Sequence, residues 1–126
     1  MKIYIDLKKF RTVKGENNDC GVTSIAIATG VGYSKAWQVL NELGRAKGEG
    51  TFNRTMHKAI KTMGFKSMEL QFRTPITLAR FIKLHNRGRY VVYTKDHAVA
   101  IVDGKLFDSS MTHGKTHLVG FMTVED

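Results

Sequence analysis

Apolar positions between residues 20 and 85 recur at helical spacing, whereas those from residue 89 onward gather into short β-branched and aromatic runs. From Cys20 to Thr29, Val22, Ile25, Ala26 and Ala28 stand among few polar residues, with Asn18 or Asp19 available as N-cap and Gly30 as a stop. This predicts a mostly buried helix. Ser34 is the expected cap of a second helix, whose Tyr33, Ala36, Trp37, Leu40 and Leu43 share a face and which ends at Gly44. A third carries Phe52, Met56, Ala59 or Ile60, and Met63 on its apolar face and stops at Gly64. A short strand over Lys66 to Phe72 follows. Pro75, the only proline, is placed to open a fourth helix in which Leu78, Phe81, Ile82 and His85 align, with Gly88 at its end.

Strands dominate the remainder. Arg89 to Tyr93, His97 to Val102, Leu106 to Asp108 and Leu118 to Val124 read as an antiparallel sheet, and Ile3 and Ile5 alternate with polar residues in a short N-terminal strand. Lys8 to Asn18 is polar and glycine-bearing, a loop. Helices first and strands afterwards predict an α+β fold, and residues 1–126 show no linker or repeat, so a single domain is expected.

Composition narrows the function classes. With 126 residues and 42% apolar content the chain can build one core, and it shows neither a membrane-length apolar stretch nor a secretory signal, which predicts a soluble, cytoplasmic protein. The formal charge of +9 favours an acidic partner. Its basic residues are nonetheless scattered, and stripes such as Arg54, Lys58 and Lys61 read as solvated helix faces. No Walker loop, zinc-finger spacing or interleaved basic-aromatic pattern is present, so nucleic acid is not the expected partner.

One cysteine, Cys20, rules out an intramolecular disulfide or a multi-thiolate zinc site and leaves either a buried filler or a reactive thiol. Its position at a predicted helix start favours the thiolate, because unpaired N–H groups and the positive end of the helix dipole face it. Such a nucleophile needs a base and a group to orient that base. Asp103-Gly104 between two apolar runs predicts a two-residue hairpin in which Val102 opposes Lys105 and Ile101 opposes Leu106. Counting outward, Val99 then opposes Asp108, and His97 and Asp108 become diagonal neighbours on one face. Asp19 and Asp96 are rival acids by proximity in sequence. His57 and His85 read as surface or core-edge residues, His113 and His117 sit in a context unsuited to a metal, and no cofactor is expected. Trp37 reads as a core anchor or a pocket wall.

The motifs Asp19-Cys20-Gly21, Gly50-Thr51, Met63-Gly64-Phe65, Gly88-Arg89-Tyr90 and His97-Ala98-Val99, with the Asp103-Gly104 turn and Asp108, resemble papain-like cysteine peptidases. The likeness is to the small bacterial branch that includes the leader-processing peptidase domains of bacteriocin exporters, and to similar phage proteins, for which the compartment would be the host cytoplasm. It covers about Asn17 to Ser110. It implies N-terminal helices packed on a C-terminal antiparallel sheet, with Cys20 as nucleophile, His97 as base and then acid, Asp108 as orienting acid, and a protein or peptide as substrate. Lys14 stands where the family carries a glutamine that completes the oxyanion hole, so Asn17 or Asn18 is the expected donor. Losing such a donor typically costs about 10²–10³ in rate. Deamidation and acyl transfer use the same three residues. A different class of function is a non-catalytic module that binds nucleic acid or an acidic protein through its basic surface.

Overall fold

The computed structural model describes residues 2–4, 16, 19–108 and 114–126, with backbone alone at 2–4 and 108. Its elements run β1 (Lys2–Tyr4), α1 (Cys20–Thr29), α2 (Tyr33–Glu42), α3 (Asn53–Thr62), β2 (Glu69–Thr77), α4 (Leu78–Leu84), β3 (Arg89–Tyr93), β4 (Ala98–Val102), β5 (Lys105–Asp108) and β6 (His117–Val124). The strands form one sheet in the order β1-β5-β4-β3-β6-β2. Every neighbouring pair from β5 to β2 is antiparallel. The α+β expectation with leading helices therefore holds, with one addition. β1 runs parallel to β5, Tyr4 beside Asp108, because alternation in sequence marks a strand but not its partner. Ile5 lies outside the described residues.

Alternating strand residues feed two cores. Val91, Tyr93, Ala98, Ala100, Met122 and Val124 face α1, α2 and α3, while Val92, Val99, Ile101, Leu118 and Phe121 face α4. Helix α1 is buried almost all round, including its polar side chains. Those side chains satisfy themselves locally: Thr23, Ser24 and Thr29 hydroxyls donate to the carbonyls of Cys20, Gly21 and Ile25 at 3.1, 3.2 and 2.6 Å. Ala98 and Ala100 of β4 lie in the same core as Ala26 and Ala28 of α1, and α1 packs against β4. That contact carries the N-terminus of α1 to the start of β4.

The Asp103-Gly104 turn forms as expected. Both residues are left-handed, with φ of 50° and 77°, and Val102 pairs with Lys105 and Ile101 with Leu106. Asp103 also fixes the turn before β3, its carboxylate accepting from Gly88 N at 2.9 Å and its N–H donating to Gly88 O at 2.8 Å.

Five local expectations are corrected. Pro75 does not open a helix. It sits inside β2, an edge strand, where the register shifts between Gln71 and Ile76 and no ladder N–H is needed; Thr77 caps α4 instead, accepting from Arg80 N at 3.2 Å. The strand after α3 begins at Glu69, with Lys66 making only an isolated bridge to Glu125. Gly32, not Ser34, occupies the N-cap position of α2, and Asp19 stands at the start of α1 without capping it. Phe52 precedes α3 in an extended conformation, so its ring leaves the buried face and is 82% exposed.

Tyr93 and Gly120 show how closely β3 and β6 pack. The buried Tyr93 hydroxyl donates to Glu69 Oε2 at 2.6 Å, and burial together with that carboxylate pushes its pKa well above the usual tyrosine value. A Cβ at Gly120 would collide with the Tyr93 hydroxyl and stand 2.6 Å from its Cζ and 2.7 Å from the Leu70 carbonyl. Gly120→Ala is therefore expected to destabilise the fold by about 1–3 kcal/mol, read as a lower urea midpoint at unchanged slope. Tyr93→Phe in the same chain should recover only part of the loss, because Cζ and the carbonyl remain.

Candidate active site

Cys20 is the first residue of α1, half-buried, and its Sγ meets the imidazole of His97, the residue immediately before β4. Burial of the sulfur acts to raise the thiol pKa. The hydrogen bond to His97, the Ala98 backbone amide, the positive charge of the imidazolium and the Gly21 amide together outweigh it, so the pKa lies below the ordinary cysteine value. The expected pairing of Cys20 and His97 is thus present in the geometry. A thiol stabilised as thiolate against its own burial is what nucleophilic catalysis requires.

The turn that presents His97 is braced by Thr94, whose N–H donates to the His97 carbonyl at 2.8 Å. Asp96 sits exposed on this turn, its carboxylate accepting from the Thr94 hydroxyl at 3.4 Å. Asp19, the other rival acid, is buried, and its Oδ2 accepts from the Tyr33 hydroxyl at 2.8 Å. Asp108 ends β5, and continuing the register from Ala100 opposite Phe107 brings Val99 opposite it, as expected from the hairpin. The Asp108 side chain lies outside the described residues, as do Asn17, Asn18 and Lys14, on which the oxyanion expectation rests.

Cys20 and His97 open into a cleft of about 120 Å³, walled by Gly50, Thr51 and Met56 on one side and by Thr94 to Ala98 on the other. The Gly50-Thr51 wall lies directly on the nucleophile helix, since a Cβ at Gly21 would stand 3.0 Å from both Thr51 Cβ and Met56 Sδ. Thr51 Oγ1 is buried there with no hydrogen-bond partner among the described residues.

Sequence reasoning missed the group that holds this wall in place. Glu16 is buried four residues before Cys20, and its carboxylate accepts from both terminal nitrogens of Arg45 at 3.1 and 3.0 Å, from Trp37 Nε1 at 2.6 Å and from Gly48 N at 2.7 Å. One carboxylate therefore ties the segment before the nucleophile to α2 and to the loop that continues into Gly50 and Thr51. Trp37 acts as an anchor through this bond. An acid in a polar loop reads as solvated, and nothing local in the sequence announces its burial.

The other described histidines stand apart from the cleft. His57 Nε2 faces the Ser67 carbonyl at 3.3 Å, and His85 stacks on Phe81 with ring centroids 4.5 Å apart, at the edge of the second core. His117 is exposed in β6, and His113 lies outside the described residues. Among the described residues no three metal-binding side chains cluster, and no helix is long and apolar enough to cross a membrane.

Comparison with protein-family models, with curated proteins and with solved structures finds no match to this chain.

Proposed function

We propose that this chain is a cysteine-dependent acyl-transfer hydrolase of papain-like type that cleaves peptide or isopeptide bonds. The observation that carries the reading is the meeting of the Cys20 Sγ, at the first residue of α1, with the imidazole of His97 in a shared cleft, and the thiol pKa lowered despite burial agrees with it. In the reaction, the thiolate attacks the carbonyl carbon and His97 delivers a proton to the departing amine. Water, losing a proton to His97, then hydrolyses the thioester. Helix start, later histidine strand and the register of β5 support Asp108 as the acid that orients His97.

Two measurements test it. Cys20 should react with iodoacetamide at pH 6 to 7 faster than a free thiol such as glutathione, and Cys20→Ala should abolish hydrolysis of a fluorogenic peptide library while leaving the circular dichroism spectrum intact. A thiol slower than glutathione across that range would sink the proposal. If instead the chain binds DNA or RNA with a steep salt dependence that survives Cys20→Ala, the basic-surface module replaces it.

A further inference from the structure

The nucleophile helix occupies one face of the sheet, and the other face carries only α4, whose Leu78 and Phe81 share a core with Val92, Val99 and Phe121. Beside α4 and in contact with it, the outermost strand β2 turns apolar side chains to solvent. Lys66 opposite Glu125 and Glu69 opposite Met122 fix one continuous register, which sets Met68 opposite Thr123 and Leu70 opposite Phe121. Phe121 belongs to the core under α4, so Met68 and Leu70 project on that side, 76% and 48% exposed. Leu84, the last residue of α4, is 60% exposed. These are three of the four large apolar side chains that stand exposed among the described residues.

The charge nearby is of one sign. Residues 70–95 contain Arg73, Arg80, Lys83, Arg87, Arg89 and Lys95 and no acid. On α4 and the turn after it, Arg80, Lys83 and Arg87 are exposed and form no ion pair among the described residues. Two acids border this face: Asp103, whose carboxylate accepts from Gly88 N at 2.9 Å, and Glu125, which stands opposite Lys66 and joins burial in raising the Tyr90 pKa. The cations weaken the helix that carries them. Arg80 lies in a first turn that holds no acid, where the helix dipole disfavours positive charge, and Lys83 is a like charge three residues on. An arrangement that costs local stability, beside apolar side chains left in water, marks a surface kept for a partner. We propose that this face docks an acidic, amphipathic segment of another protein, its carboxylates against Arg80, Lys83 and Arg87 and its apolar side chains against Met68, Leu70 and Leu84. A second copy of this chain is opposed by its own formal charge of +9, and a phosphate backbone offers nothing to the exposed apolar side chains. The surface lies across the sheet from α1 and holds whether or not the Cys20 site hydrolyses peptides.

Fluorescence anisotropy with two labelled twelve-residue peptides tests it, one alternating glutamate with leucine and the other glutamate with serine. The glutamate–leucine peptide should bind about tenfold tighter than the glutamate–serine peptide and weaken as salt is raised. Arg80→Glu combined with Lys83→Glu should lose about tenfold or more, and Leu70→Thr combined with Leu84→Gln roughly three- to tenfold. Arg80→Glu alone should melt at the same temperature as the parent or a few degrees higher, because an acid suits the first turn and pairs with Lys83, which separates a binding role from a structural one. Iodoacetamide reactivity of Cys20 should be the same in all these variants, so this proposal and the hydrolase reading fail separately. Equal affinity for the two peptides, no saturable binding of either, or an Arg80→Glu that melts well below the parent would overturn the proposal. So would a duplex DNA dodecamer that binds more tightly than the glutamate–leucine peptide and loses affinity in the same variants.

Discussion

In His97→Ala, the pH midpoint for alkylation of Cys20 is expected to move from below the ordinary cysteine value to above it. The sign follows from the balance at the sulfur. Burial is the largest single influence and raises the pKa; His97 opposes it both by hydrogen bond and by charge, and the backbone amides of Ala98 and Gly21 add less. Take the imidazole away and burial is left with weaker opposition. At pH 7 the thiolate fraction, and with it the alkylation rate, then falls about tenfold for each unit the midpoint rises. On the proposed hydrolase reading, hydrolysis loses more, about 10²–10⁴-fold, because the variant also lacks the group that would move protons to and from the reacting atoms. A midpoint that stays put in His97→Ala would show that the histidine does not set the state of the thiol.

The same shift has a counterpart in stability. A thiol whose folded pKa is lowered stabilises the fold fully above the unfolded value and loses that contribution as pH falls through the folded value. Cys20→Ser should therefore flatten the pH dependence of unfolding between the folded midpoint and the ordinary value of 9.0.

The second large effect is expected at Arg45, which does not line the Cys20 cleft. Arg45→Ala removes the guanidinium that bonds both oxygens of the buried Glu16 carboxylate, and both side chains of the ion pair are fully shielded from solvent. Breaking such a pair from one side costs about 3–5 kcal/mol, against which removal of both charges together is often nearly neutral. Arg45→Ala is thus expected to lower the Tm by roughly 10–20 °C. The double variant Glu16→Leu with Arg45→Met should recover most of it. If Arg45→Ala melts within a few degrees of the parent, the pair is not the clamp described.

Local chemistry was readable in the sequence and distant chemistry was not. The hairpin at Asp103-Gly104 could be anticipated because two left-handed residues in succession admit few sequences, and once it is set the positions of Lys105 to Asp108 follow by counting. The buried character of α1 could be read from Val22, Ile25, Ala26 and Ala28, and Cys20 at its start followed. Pro75 misled because a proline suits a helix start and an edge-strand irregularity equally well, and only the neighbour β6 decides between them. Phe52 was assigned to the core by spacing, yet a residue at the cap has already left the helical path. Glu16 and Arg45 meet from separate loops and carry no periodic mark, and the helical spacing of Trp37 does not reveal its bond to Glu16. For that reason the clamp behind the cleft wall came from the structure alone, although Gly50-Thr51 itself was among the motifs of the resemblance.

The close fit of α1 against β4 has a consequence for the order of events when the chain is made. Cys20 emerges from the ribosome long before His97, and the strand that receives it is paired on both sides, by β3 and by β5. Contacts so distant in sequence form late in folding. Through that interval the sulfur has no histidine beside it and reacts as an unassisted thiol. A truncated or incompletely folded copy therefore offers only an ordinary thiol, and the lowered pKa becomes a property that the newborn protein acquires only when its last strands have closed.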